Sequence, residues 1–183
     1  RMLCQILSAS ARNFSLLWAA GAESQPLAGF EMLDGLSTGR QTNTTKPLPG
    51  GIESGRRYRS RVEVRRDSVR AFLNDKEVVS WKGSFGSLSI DEQTRLRDEL
   101  HLGLRTSRPV TYHKITVREI TGTGKVDAGT ATTSSSATAK TIDLLPIVDV
   151  KRDMIGGEWS REGGDLVVKA AKPDTNGTPR LQL

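Results

Sequence analysis

The chain has 183 residues, 36 % of them apolar and 26 % charged, the balance of a globular domain large enough to bury its own core. One cysteine excludes an intramolecular disulfide and a cysteine-based zinc module, two histidines exclude a multi-histidine metal centre, and no apolar run is long enough to span a bilayer. No cofactor is expected, and the net charge of +6 lies in residues 1–123, where most cations are arginine.

Alternation of apolar and polar residues at period two, not 3.6, runs through the first part of the chain. Strands are expected at Met2–Ser8, Phe14–Ala20 and Gly29–Leu33, separated by turns at Ala11-Arg12-Asn13, at Gly21 to Pro26 and at Asp34-Gly35. Arg57 to Arg66 alternates cleanly: Tyr58, Ser60, Val62 and Val64 point one way, while Arg57, Arg59, Arg61, Glu63 and Arg65 point the other. Turns at Asp67-Ser68 and Asn74-Asp75-Lys76 then predict a three-stranded meander through Val69–Leu73 and Glu77–Trp81. With two-residue loops, Val62 and Val64 share a face with Ala71, Leu73 and Val78, and Phe72, Val79 and Trp81 fall among the arginines. Ser89 to Leu96 has weak helical character, no more than a turn. Strands follow at Glu99–Arg105 and Thr111–Ile120.

Residues 122–140, almost all Gly, Ala, Ser and Thr, cannot bury enough to repay their ordering and are expected to form a flexible tether. Beyond it lie a strand start at Ile142-Asp143-Leu144-Leu145, a hairpin of Glu158–Arg161 with Asp165–Val168 around Gly163-Gly164, and a last strand within Thr178–Leu183. This block is too small to stand alone and must dock on something. Many short strands at this spacing argue for an all-β chain, an antiparallel β-sandwich of jelly-roll type. The chain opens on Arg1 and closes on Leu183 inside apolar runs, which suggests a fragment of a longer polypeptide; no signal peptide is expected, and the compartment is left open.

Gly55-Arg-Arg-Tyr58, then Val62 and Val64, then Ala71-Phe-Leu-Asn-Asp-Lys76 and Trp81, resemble the concanavalin A-like lectin/glucanase superfamily. The closer likeness is to the laminin-G-like, 3-keto-disaccharide-hydrolase-related domains of large bacterial multidomain proteins. Asp34-Gly35, Leu102-Gly103-Leu104 and Tyr112 to Arg118 fit the same pattern, whereas Asn74-Asp75-Lys76 lacks the glycine that the family carries in its turn. Ile142 to Leu145, Asp149, Trp159 and Gly164-Asp165-Leu166 resemble the opening of such a domain. The resemblance implies that residues 1–121 are the later part of one copy and 141–183 the opening of the next. The strands of 141–183 are then free to complete the sandwich of 1–121. It also implies a bacterial carbohydrate-binding module, non-catalytic, with neighbouring domains in the parent chain as partners. The alternatives are an enzyme related to the 3-keto-disaccharide hydrolases and a structural or regulatory spacer beside a kinase or protease domain.

A glycosidase needs two carboxylates about 5 to 10 Å apart. The Glu-x-Asp-x-x-Glu strand of the superfamily's glucanases is absent; Glu31 and Asp34 imitate it only in part, so no catalytic residue is assigned. His101 and His113 would form a base or ligand pair only if their strands were neighbours, and Asp149 and Asp153 lack the further oxygen ligands of a calcium loop. Cys4 reads as a small core residue, and Trp18 and Trp159 as core. Asn13, Asn43 and Asn176 begin formal glycosylation sequons.

The arginine strand is the candidate binding surface: Arg59, Arg61, Arg70, Phe72 and Trp81 combine cations and aromatic planes as a sugar-binding face would. An anionic glycan would suit bidentate guanidinium groups. Nucleic acid is disfavoured, because the face lacks interleaved aromatics for stacking bases. The bland reading of the same stripe is a solvated face of cross-strand ion pairs, for instance of Glu63 with Arg65.

Overall fold

The structure, a computed structural model, describes residues 2–21, 24–40, 44–119, 140–169 and 178–183, so nearly all of the expected tether lies outside the described residues. The chain is all-β, with only short helical turns between strands. Strands β1 (Leu3–Ala9) and β2 (Arg12–Ala20) form a hairpin. Its turn is Ser10-Ala11, with φ of 51° and 57°, two residues earlier than the asparagine at Asn13 suggests. β3 (Leu27–Phe30) pairs with β2, and β4 (Met32–Leu33) and β5 (Leu36–Ser37) turn about Asp34-Gly35. There Asp34 at φ 51° and Gly35 at φ 74° supply the left-handed pair that a two-residue hairpin loop requires. β6 (Lys46–Pro47) closes this side of the sheet against β3.

The meander follows as expected: β7 (Ser60–Val64), β8 (Ser68–Leu73) and β9 (Lys76–Lys82), with Asn74-Asp75 as the turn between β8 and β9. β10 (Leu88–Ser89) returns to β4. β11 (Gly103–Thr106) pairs with β1, and β12 (Val110–Tyr112) and β13 (Thr116–Arg118) are two short strands where one long one was expected. Residues 99–102 are not strand either. The Glu99 carbonyl accepts from Ser8 Oγ and Asn13 Nδ2, and the His101 carbonyl from Asn13 Nδ2, so side chains take the place of a strand partner. The helical turn near Ser89–Leu96 is a 3-10 turn at Glu92–Thr94.

In the C-terminal block β14 (Thr141–Asp143) pairs with β13. A four-residue helix α1 (Val150–Asp153), capped by the Asp149 carboxylate, precedes β15 (Met154–Gly156). β16 (Trp159–Glu162) and β17 (Asp165–Val168) form the expected hairpin about Gly163-Gly164, and β18 (Arg180–Gln182) ends the chain. The block joins the first one strand to strand: β18 on β11, β17 on β12, β14 on β13.

The result is sandwich-like. A seven-stranded antiparallel sheet runs β15-β18-β11-β1-β2-β3-β6. Over one of its faces lie two three-stranded sheets, β7-β8-β9 and β12-β17-β16. Phe14, Leu16, Trp18, Ala28 and Phe30 from the large sheet meet Val69, Ala71 and Val79 from the meander in one core cluster. Leu104 and Leu181 meet Trp159, Leu166 and Val168 in a second. The opposite face of the large sheet carries Cys4, Ile6 and Leu17, and is covered by Ile90 and Leu96 of the segment between β10 and β11. Gly103 lets that segment pack closely, because a Cβ at its position would come within 2.8 Å of the Leu96 side chain and 3.0 Å of the Leu181 carbonyl oxygen.

Candidate functional site

The arginine face exists, but its aromatic content is not the expected one. β8 and β9 pair Phe72 with Glu77 and Ala71 with Val79, which leaves Val78 as an extra residue in a β-bulge. The bulge reverses the side-chain parity beyond it. Val79 and Trp81 therefore stand opposite Ala71 and Val69 on the core face, not among the arginines. Trp81 lies 5.7 Å, ring centre to ring centre, from both Phe30 and Phe85 and helps to join the two layers. Only Phe72 remains on the arginine side.

Phe72 is itself covered. The Arg61 guanidinium sits 3.8 Å above its ring centre and that of Arg70 5.1 Å away, and together they leave Phe72 7 % exposed. Arg59, Arg61 and Arg70 each also have an acid. Arg59 pairs with Asp75, Arg61 with Glu63 along its own strand, and Arg70 with Glu77 across the hairpin, Nε to Oε2 at 2.8 Å. Arg59 is further fixed by its backbone, which donates to Asn74 Oδ1 at 2.9 Å and accepts from Asn74 N at 2.8 Å. These three arginines thus form ion pairs around a buried ring that presents no open plane to a sugar, while Arg57 and Arg65 of the same stripe have no ion pair among the described residues.

A different surface is concave. At the turn end of the meander, β6 and the loop that follows it face the β8–β9 hairpin across an open groove of about 860 Å³. Lys46, Gly51, Glu53, Tyr58, Asn74 and Lys76 are among the residues that line it. Tyr58 is half-buried; its Oη accepts from the Glu53 amide at 3.0 Å, and the Arg56 guanidinium lies 5.5 Å from its ring centre. Glu53 and Arg56 form an exposed pair at 3.5 Å. The groove is a product of long-range packing. Leu48, Ile52 and Val78 pack on the main core cluster, and this anchors both walls. The sequence offered one signal for it, Tyr58 lying opposite in parity to the arginines.

The remaining candidates separate. Glu31 is partly buried, where it accepts from Ser15 Oγ at 2.6 Å and from Arg105 Nη2 at 2.6 Å, while Asp34 is an exposed turn residue. They do not act together. Glu31 and Arg105, side chains 13 % and 4 % exposed, form a buried pair next to Cys4, whose thiol is pushed up to about 12, chiefly by burial. His101 and His113 also stand apart: Nδ1 of His101 lies 3.2 Å from Asp98, and that of His113 lies 2.7 Å from Asp165. Asp149 caps α1, and Asp153 pairs with Arg152 and accepts from the Asp149 amide. Among the described residues no group of three acids, histidines or cysteines is placed to hold a metal. Asn13 is 3 % exposed with its amide nitrogen engaged, and so cannot accept a glycan; Asn43 and Asn176 lie outside the described residues. Trp18 and Trp159 are core, their indole N–H groups satisfied by Gln5 Oε1 and the Gly156 carbonyl, both at 2.9 Å. No helix among the described residues is long and apolar enough to cross a membrane. No protein family, no curated protein and no solved structure matches the chain.

Proposed function

We propose that the chain is a non-catalytic carbohydrate-binding module of concanavalin A-like type, within a larger bacterial protein, and that its ligand lies in the Tyr58 groove. The groove carries this reading. It is open to solvent, and it sets one aromatic ring among amide, carboxylate and ammonium groups that can hydrogen-bond hydroxyls. The arginine face is a poorer candidate, because the guanidinium groups of Arg59, Arg61 and Arg70 are already engaged by acids and its one ring is covered by Arg61. Glu31, engaged by Arg105, and the exposed turn residue Asp34 likewise give the sugar-cleaving alternative no paired carboxylates to work with.

A glycan array probed with the intact chain at physiological salt tests the reading. Selective binding is expected, lost on Tyr58→Ala and retained on Arg61→Gln, which touches only the arginine face. Silence from a folded sample would overturn the reading and favour a structural spacer. Loss on Arg61→Gln with retention on Tyr58→Ala would return the site to the arginine face.

A further inference from the structure

Two of the cations that line the groove stand without an acid. On the outer face Arg59, Arg61 and Arg70 are each paired, and Lys82 lies 3.3 Å from Asp67. Inside the groove Arg56 is paired with Glu53. Lys46 on β6 and Lys76 at the start of β9 are both exposed. Neither side chain has an ion-pair or hydrogen-bond partner among the described residues. They line the same groove, brought together by the fold. The two carboxylates of the lining, Glu53 and Glu77, are engaged by Arg56 and Arg70 and so leave the ammonium groups unneutralised.

We propose, on the basis of the carbohydrate reading, that the groove takes an acidic polysaccharide, with Lys46 and Lys76 each meeting a carboxylate or sulfate and a sugar ring lying against Tyr58. An ammonium group suits this better than a guanidinium. It is a compact charge with three rotatable donors on a flexible stem, and it can follow acidic groups whose position varies along a glycan. The contacts are half-exposed, so binding weakens as salt screens them.

The test is titration calorimetry with uronic-acid and sulfated polysaccharides, each beside its carboxyl-reduced or desulfated counterpart. At low salt the acidic member of at least one pair binds about tenfold tighter, as two exposed ion pairs would give. The substitutions K46Q and K76Q together abolish that difference and leave the melting temperature unchanged. The carboxylated and sulfated pairs distinguish which anion is read. Equal affinity within every pair would overturn the acidic preference while leaving a carbohydrate module in place. Binding to no member of any pair, acidic or neutral, would overturn both. A preference that survives K46Q/K76Q would place the acidic contacts elsewhere and overturn the assignment.

Discussion

At the scale of single residues, the inner polar cluster shows how burial sets chemistry. Cys4 is 1 % exposed, beside Arg105 and Ser15 and under the Leu96 segment. Burial disfavours the thiolate, so the folded thiol holds its proton well above the ordinary value of 9.0, up to about 12. Above pH 9 the unfolded chain releases this proton while the folded one keeps it. The unfolded state then binds fewer protons, and stability falls as pH rises from 9 towards 12. Below 9 the contribution is fully present. Burial raises the Tyr112 phenol as well, which adds to the loss at the upper end of the window. Urea unfolding at stepped pH should show a fall of up to about 1.4 kcal/mol per pH unit for each such group. Cys4→Ala should remove the earlier part of that slope at a small fixed cost in packing. An unchanged slope in Cys4→Ala would mean that the thiolate is tolerated where it lies.

At the scale of elements, one inserted residue decided where the candidate site could be. Strands and turns of the meander are legible in the sequence because alternation at period two and Asn-Asp or Asp-Gly pairs act locally. Parity beyond a bulge is not, since Val78 is an ordinary strand residue in composition and only its pairing makes it extra. Regular alternation from Glu77 puts Trp81 with the arginines, and the bulge puts it against Phe30 and Phe85. The ion pairs were half legible: acids occur near the arginines, but which acid meets which arginine depends on register. The groove was least legible, because its two walls are far apart in sequence and meet only when Leu48 and Ile52 enter the core. Deleting Val78 tests this account. The shortened strand pairs regularly, Glu77 with Phe72 and the next residue with Ala71, so Val79 and Trp81 keep their places. The variant should stay folded, lose about 1–2 kcal/mol with the half-buried valine, and keep a Trp81 inaccessible to an aqueous quencher. A newly quenched indole would show that something other than the bulge holds Trp81 inside.

At the scale of the molecule, the two blocks share a sheet, and this makes their stability common property. β18 lies between β11 and β15, and Leu181 within it is fully buried against Leu104, Trp159 and Leu166. The connection is reinforced across the covered face. Arg180 Nη1 donates to the Gln93 carbonyl at 2.7 Å, Arg97 Nη2 to the Met154 carbonyl at 2.9 Å, and the Asp98 amide to Gln182 Oε1 at 3.1 Å. A segment of the first block is thereby tied to strands of the last one, and the large sheet cannot lose β18 without exposing Leu104 and an edge of β11. Leu181→Ala should therefore cost about 2–5 kcal/mol, the range for deleting a fully buried leucine side chain. The loss should appear everywhere at once: hydrogen exchange in β1 and β2 should quicken together with that in β16 and β17, in a single unfolding transition. Two separated transitions, with β1 and β2 protected while the hairpin of β16 and β17 exchanges, would mean that the C-terminal strands are a dispensable addition to a first block stable on its own.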